Sequence, residues 1–470
     1  MSVTMGLFAD GRWSPGVGTA QVRNPYTGAV VGTVTRASPQ QARDAVRALA
    51  AAGRGDLTAH DRATILAATA DLLYRERDDV AVLISQESGL AVRDGHREVT
   101  RAVTQLRFCA QEALRVHGEA IRTDVTEARA RRLAITTREP VGVVCAVTPF
   151  NRPLNQVVTK VAPALAAGNR VVVKPSEKTP LSAIRLLDTL LRAGLPPDQA
   201  ALVCGEPAEI VDALLASGHV DMLTFTGSSR VGRLLAASAG MIRQTYELGD
   251  SGALVVMADA DVPAAVAAAA AGAFATSGQS CRGVKRVIAH ADVADEVAER
   301  LAEAASALVV GDPADPATDV GTLIDAAAAD VVERRVIDAV AAGARVLCGA
   351  RRHGAQYWPT VLDHVPPDTD LVRLETFGPT APVVRVRDFA EAVAVVNGTR
   401  YGLQAGIFTR SLDLARRAGE LFDVGAVVVN GGPQFESPNI PFGGVKDSGL
   451  GREGARYAIE EMTRLRTLIL

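Results

Sequence analysis

With 470 residues, 48% of them apolar and 22% charged, the chain has material for large buried cores and for two or more domains. A net charge of -3, with no basic run interleaved with aromatics, gives no footing for nucleic acid or an anionic membrane surface and leaves a small diffusible substrate as the default partner. The five cysteines, at 109, 145, 204, 281 and 348, are odd in number, scattered and without CxxC spacing, which argues against a disulfide framework and a zinc site, so no metal is expected.

The segment Met1 to Trp13 lacks the basic start and apolar core of a signal peptide, so a cytoplasmic protein is expected. Turn signals in Asn24-Pro-Tyr-Thr-Gly28 lie between short strands, and amphipathic helical patterns follow at about 39–53 and 60–88. From Val141 the pattern changes to short β-branched runs alternating with helices: Val141 to Val147, a helix to Ala167, Arg170 to Lys174, and a helix from Leu181 to Ala193. This βαβ rhythm predicts a mostly parallel sheet that binds ligands outside the carboxyl ends of its strands. A further strand, Asp221 to Thr226, runs into Gly227-Ser-Ser-Arg-Val-Gly232 and another helix. After Glu247 a second α/β unit is predicted, with helices near 262–275, 292–307 and 326–342 and strands near 344–348, 381–386 and 425–429. Its most apolar stretch, Val262 to Ala275, is too short to span a bilayer and is expected as a tightly packed buried helix; no membrane span is expected. Arg129-Ala-Arg-Arg-Leu-Ala-Ile-Thr-Thr137 and Thr463-Arg-Leu-Arg-Thr-Leu-Ile-Leu470 read as exposed strands that need a partner.

Cys281 stands apart from the other cysteines. It lies in Ser277-Gly-Gln-Ser-Cys281-Arg-Gly-Val-Lys285, where small residues allow a tight turn around a thiol, whereas the other four sit in apolar contexts expected to be inert. A thiolate attacks carbonyls, and Glu247, in Tyr246-Glu-Leu-Gly-Asp250, can serve as general base for a covalent intermediate. Asn151 follows a predicted strand end, where an amide stabilises an oxyanion or makes an ordinary Asx turn. Lys174 and Glu177 follow another strand end, where a dinucleotide's adenosine ribose is expected or the chain is simply a solvated turn. Gly227 and Ser228 precede a helix whose first amides suit a pyrophosphate. Of fifty basic residues only Lys160, Lys174, Lys178, Lys285 and Lys446 are lysine, and each falls in a segment singled out on other grounds. A lysine that persists in so arginine-rich a chain marks a place that a planar guanidinium does not suit.

Around Cys281 and Glu247, and almost end to end, the chain resembles the NAD(P)-dependent aldehyde dehydrogenase superfamily. The resemblance implies an α/β protein of two doubly wound domains: a Rossmann-like dinucleotide-binding domain over 1–121 and 142–247 and a catalytic domain over 248–445. A small β oligomerisation element from 122–141 and 446–470 is implied with them, in a homodimer or homotetramer. Cys281 is then the nucleophile, Glu247 the base that hydrolyses a thioester, and Asn151 with the Cys281 backbone N–H the oxyanion hole, where one donor is worth about 3 kcal/mol. Lys174, Ser176, Glu177, Gly227, Ser228, Gly249, Glu375 and Phe377 match cofactor positions, the last two holding the nicotinamide ribose and ring. Lys160 and Glu453 match a proton path from the base to solvent, or make an ion pair between packed loops. Glu177 would accept hydrogen bonds from ribose hydroxyls and repel a 2′-phosphate, so NAD is favoured over NADP, a preference that Lys174 weakens.

Arg101, Arg152 and Arg282 are the candidate substrate-binding residues, since guanidinium forks suit phosphate, phosphonate or carboxylate. The run Asn151 to Leu165 looks most like the phosphonoacetaldehyde dehydrogenase branch, so a phosphonoaldehyde, phosphonoacetaldehyde or phosphonoformaldehyde, is expected. Lactaldehyde, glyceraldehyde 3-phosphate, succinate semialdehyde and aromatic aldehydes are the alternatives. Two departures from that branch are Ser280, where an Arg commonly precedes the nucleophile, and Glu436, where several relatives carry Arg. A catalytically silent ligand-binding relative would have lost part of the set Asn151, Glu247 and Cys281, which is intact here.

Overall fold

The computed structural model describes residues 3–53, 56–125 and 132–470. One sheet has eight strands in the order Gly449–Leu450, Arg243–Glu247, Met222–Thr226, Val143–Val147, Arg170–Lys174, Ala200–Val203, Leu7–Ala9 and Arg12–Trp13. The five strands between Arg243 and Val203 in that order are parallel. Helices cover both faces, so these strands need apolar side chains on both sides and read as continuous β-branched runs. In Val143–Val147, Val144 and Ala146 enter one core while Val143, Cys145 and Val147 enter the other. The chain starts the parallel set at Val143–Val147, moves outward through Arg170–Lys174 to Ala200–Val203, and returns on the opposite side at Met222–Thr226. That reversal opens a crevice at the carboxyl ends of Val143–Val147 and Met222–Thr226, where open α/β sheets bind ligands.

The second sheet has seven strands, Arg345–Cys348, Thr360–Asp363, Thr380–Val386, Arg286–His290, Ala253–Val256, Gln404–Phe408 and Ala426–Val429, all parallel except the first. Leu254 and Val256 enter one of its cores and Ala253 and Val255 the other. A third, antiparallel sheet joins Thr463–Ile469, Leu133–Pro140 and Ala120–Arg122. Among the described residues no helix is long and apolar enough to cross a membrane.

Several sequence expectations are corrected. The helical pattern at 60–88 is two helices, Ala59–Arg75 and Arg77–Ser88, because the backbone at Glu76 leaves helical values (φ -97°, ψ 14°). Helix Val262–Phe274 is not buried all round: Ala265, Ala269 and Ala273 are buried but Ala264, Ala267 and Ala271 face solvent. A methyl costs little to expose, so the alanines overstate the helix's burial. The two segments that needed a partner find each other, Ala134 opposite Ile469 through to Pro140 opposite Thr463, while Arg129 to Arg131 lie outside the described residues. Of 446–470 only Thr463–Ile469 joins the small sheet. Gly449–Leu450 extends the eight-stranded sheet, and Ala455 and Ile459 of helix Ala455–Glu461 pack into the core beneath it.

Candidate active site

The carboxyl ends of the first sheet face the amino ends of the second. Glu247 ends the strand Arg243–Glu247, Thr148 to Asn151 follow Val143–Val147, and Gly227 follows Met222–Thr226. From the opposite side the Cys281 loop leads into Arg286–His290, and Glu375 to Phe377 lead into Thr380–Val386. Asn151, Gly227, Ser228, Glu247, Gly249, Cys281, Glu375 and Phe377 line one cavity of about 460 Å³. Residues far apart in sequence thus meet because two parallel sheets abut end to end.

The Cys281 loop is shaped by three successive left-handed residues, Thr276 (φ 53°), Ser277 (φ 53°) and Gly278 (φ 69°). Only glycine serves at 278, since a Cβ there would lie 2.1 Å from the Gly378 carbonyl oxygen. The less favourable backbone of Thr276 and Ser277 is held from outside. Asp94 accepts the Thr276 N–H at 3.0 Å, and the buried Lys285 ammonium donates to the Gly278 carbonyl. Asn151 Nδ2 donates to the Gln279 carbonyl at 2.9 Å, which fixes the amide against this loop and leaves its second N–H free to meet an oxyanion.

Burial pushes the Cys281 thiol well up, the charge of Glu247 pushes it further, and Arg282 and Arg152 draw it back. Glu247 is 2% exposed and its value is raised well above the usual carboxylate range by burial and then by Glu453, while Lys160 and Arg282 lower it. Neither carboxylate oxygen of Glu247 is paired with a backbone or side-chain N–H among the described residues, and the Cys281 thiol is the hydrogen-bonding neighbour that lowers its value. Each group disfavours the other's negative charge, so thiol and carboxyl titrate as a coupled pair. Lys160, 1% exposed, binds Glu453 Oε1 at 2.7 Å and lies 3.4 Å from Thr224 Oγ1. Lys160 and Glu453 therefore form an ion pair that acts electrostatically on Glu247. Cys109, Cys145 and Cys204 are buried and their thiols pushed up by burial, whereas Cys348 is half-buried.

The cavity suits a dinucleotide. Gly227 and Ser228 precede helix Ser229–Ser238, whose end is capped by Ser228 Oγ accepting from the Val231 N–H at 3.4 Å, and both residues line the cavity at this helix N-terminus. Thr226 Oγ1 is buried without a hydrogen-bond partner among the described residues. Gly249 makes room for Glu375, because a Cβ at 249 would lie 2.5 Å from Glu375 Oε2; Glu375 in turn accepts the Asp250 N–H at 3.2 Å. Phe377 stands edge-on to Phe150 with ring centres 6.0 Å apart. The opposite wall is Ile324, Ala327, Ala328, Val331 and Val332, from the start of helix Ala326–Ala341. Sequence reasoning missed this wall, since small apolar residues on a helix carry no chemical signature. It also assigned Lys178 no role, although Lys178 lines the cavity, pairs with Asp325 and lies 5.5 Å from the Phe150 ring centre. Lys174, Ser176 and Glu177 fall outside the lining. Lys174 is buried with its ammonium 3.5 Å from Glu177 Oε2, and Ser176 Oγ accepts the Lys178 N–H at 3.2 Å.

The sequence profile of the aldehyde dehydrogenase family matches residues 13–468. The chain belongs to that family. It is 38% identical over 465 residues to a 3-sulfolactaldehyde dehydrogenase of Priestia aryabhattai, covering 99% of this chain and 98% of the other. A sulfoacetaldehyde dehydrogenase of Neptuniibacter caesariensis is 37% identical over 412 residues, 88% of this chain and 90% of its own. The NADP-dependent glyceraldehyde-3-phosphate dehydrogenase of Bacillus halodurans C-125, solved with NADP, superposes with a TM-score of 0.97 at 34% identity, covering 100% of this chain and 99% of that one. The protein is accordingly an NAD(P)-dependent oxidoreductase acting on aldehydes.

Beside the thiol of this aldehyde dehydrogenase the three candidate arginines come together, but not as an empty clamp. Arg101 comes from helix Val92–Ala113, Arg152 from the loop after Val143–Val147, and Arg282 from the Cys281 loop. Arg282 binds the Glu436 carboxylate, Arg101 Nη1 lies 3.3 Å from the same oxygen, and all three guanidiniums hold Glu436 below the usual carboxylate range against the effect of its burial. Beneath them Glu98, fully buried, accepts the N–H groups of Leu154 and Asn155 and is raised to about 7 by burial.

Proposed function

We propose that this aldehyde dehydrogenase oxidises a small anionic aldehyde to its carboxylate, with NAD favoured over NADP. The convergence of Arg101, Arg152 and Arg282 beside Cys281 carries the substrate class, because guanidiniums bind oxyanions with paired donors. Sulfonate-bearing aldehydes, named for the relatives above, and the phosphonoaldehydes expected from the sequence both belong to that class. Glu177, exposed at the end of its strand, supports NAD by facing a 2′-phosphate with like charge. The exposed Leu465, Leu468 and Ile469 of the small sheet support a subunit contact, in a cytoplasmic homodimer or homotetramer.

In this reading Glu247 takes the thiol proton and Cys281 Sγ bonds to the aldehyde carbon. The carbonyl oxygen becomes an alkoxide met by the free Asn151 N–H and the Cys281 backbone N–H. Glu375 and Phe377 would hold a nicotinamide, which when bound would accept hydride from the aldehyde carbon and so leave a thioester on Cys281. Once the thiol proton has left Glu247, its carboxylate draws a proton from water as the water oxygen bonds to the thioester carbon. The C–S bond breaks, the thiolate leaves, and the carboxylate departs. The Lys160 and Glu453 pair gives the proton on Glu247 a way onward. Initial rates of nicotinamide reduction with NAD and NADP, against sulfoacetaldehyde, phosphonoacetaldehyde, succinate semialdehyde, lactaldehyde and propanal, test the reading. Anionic aldehydes are expected to exceed propanal by more than about tenfold in kcat/KM, and Arg101→Leu to raise KM for them alone. Equal effects on charged and neutral aldehydes would reduce the arginines to structural residues.

A further inference from the structure

The arginine cluster has a feature that a plain anion clamp does not need, a carboxylate of its own. Building on the anionic-aldehyde reading, we propose that Glu436 sets the charge this cluster accepts, selecting aldehydes with a singly charged sulfonate or carboxylate over those with a doubly charged phosphonate or phosphate.

Glu436 is not a surface group that happens to be near. Its carboxylate is bound by Arg282 and Arg101, which arrive from two separate elements. Arg282 is itself locked in place, with its guanidinium 5.1 Å from the Phe442 ring centre and Nη1 3.4 Å from the Gln434 carbonyl. Two forks are therefore directed at Glu436. Arg152 is buried and, unlike the other two, forms no ion pair with Glu436. Arg101 Nη1 is buried against Glu436, so Arg152 is the guanidinium left for a substrate oxyanion.

Charge gives the same answer. Three guanidiniums face Glu436 and Glu98; Glu436 is held ionised and cancels one of the three positive charges, while Glu98, raised to about 7, cancels at most one more. Glu436 therefore lowers by one the negative charge the cluster can balance, which bears harder on a dianion than on a sulfonate or carboxylate, next to a thiol that must itself become an anion to react.

Sulfoacetaldehyde and phosphonoacetaldehyde differ in charge at nearly constant length, and propanal reports what a substitution does to the thiol itself. With kcat/KM for both anions taken relative to propanal, the wild type is expected to prefer the sulfonate. Glu436→Gln is expected to raise the phosphonate-to-sulfonate ratio about tenfold. An unchanged ratio, or one that moves toward the sulfonate, overturns the assignment. Should the variant not fold, the wild type alone still decides: at a pH where the phosphonate is doubly ionised, methanesulfonate is expected to inhibit more tightly than methylphosphonate, and the reverse order overturns the proposal. The two levels fail separately. If neither anionic aldehyde exceeds propanal in the wild type, the anionic-aldehyde reading falls; if both do and Glu436→Gln leaves their ratio alone, only the role of Glu436 falls.

Discussion

Replacing Glu247 with Gln separates the two halves of the reaction. Glu247 is 2% exposed and its hydrogen-bonding neighbour is the Cys281 thiol, so an isosteric amide removes basicity while keeping a group that can meet the thiol. A positioned general base contributes about 10² to 10⁴ in rate, and its loss falls mainly on hydrolysis of the thioester, where water needs a base most. Acylation slows less, because Arg282 and Arg152 still favour the Cys281 thiolate. Rapid mixing with NAD and excess aldehyde should therefore give a burst of one reduced nicotinamide per active site, followed by turnover at least about 100-fold below wild type. The pH profile adds a second test. The carboxyl value is raised by burial and by Glu453, so the basic form grows as pH rises through that elevated value, and wild-type kcat should climb along a limb that the variant lacks. Lys160→Met removes a charge that draws Glu247 down and should shift the same limb to higher pH. Steady-state turnover unchanged in Glu247→Gln, or a low rate without a burst, would refute this assignment.

Asn151→Ala should lower kcat/KM about 100-fold with a smaller change in cofactor affinity, since one oxyanion donor is worth about 3 kcal/mol in the transition state; stopped-flow acylation rates measure it, and a loss confined to KM would make Asn151 a loop anchor to Gln279. Stability should also carry a pH signature. Fully buried Glu87 caps helix Leu181–Arg192 by accepting the N–H groups of Leu181 and Ser182, and burial raises it to about 7. A carboxyl raised on folding stabilises the protein fully below its unfolded value and loses that contribution as pH rises through about 7. The Tm of the wild type relative to Glu87→Gln should accordingly fall between mildly acidic and mildly alkaline pH; a constant difference would show that Glu87 does not titrate in that window.

Much of this site could be read from the chain because its chemistry is local to short segments. The turn around Cys281 needs small residues, and that need is written in Ser277-Gly-Gln-Ser-Cys281 itself, whereas the strand ending at Glu247 reads Arg-Gln-Thr-Tyr-Glu and is apparent only in the sheet. The β-branched runs at Val143–Val147 and Arg170–Lys174 announced strands buried on two faces, and the crevice followed from where such sheets bind ligands. What escaped was pairing across long separations. Nothing in Thr463–Ile469 says that it lies against Leu133–Pro140, and nothing in Ala327, Ala328 or Val332 marks a cavity wall. Apolar content also misled at Val262–Phe274, since alanine scores as hydrophobic yet costs little to leave in water.

The arginines show the same limit from the other side. Three guanidiniums spread over nearly two hundred residues were legible as separate anion-binding candidates, and Glu436 as a departure from related sequences. Only the structure puts the carboxylate among them. Charge is additive over space rather than along the chain, so the sign of a pocket is a property of the fold even when every contributor is visible in the sequence. A pocket predicted from its arginines alone would be three charges positive and suited to a phosphonate. With Glu436 folded in, one of those charges is balanced inside the protein and Glu98 beneath balances at most one more, so on the proposed reading the substrate expectation shifts from phosphonate toward sulfonate or carboxylate.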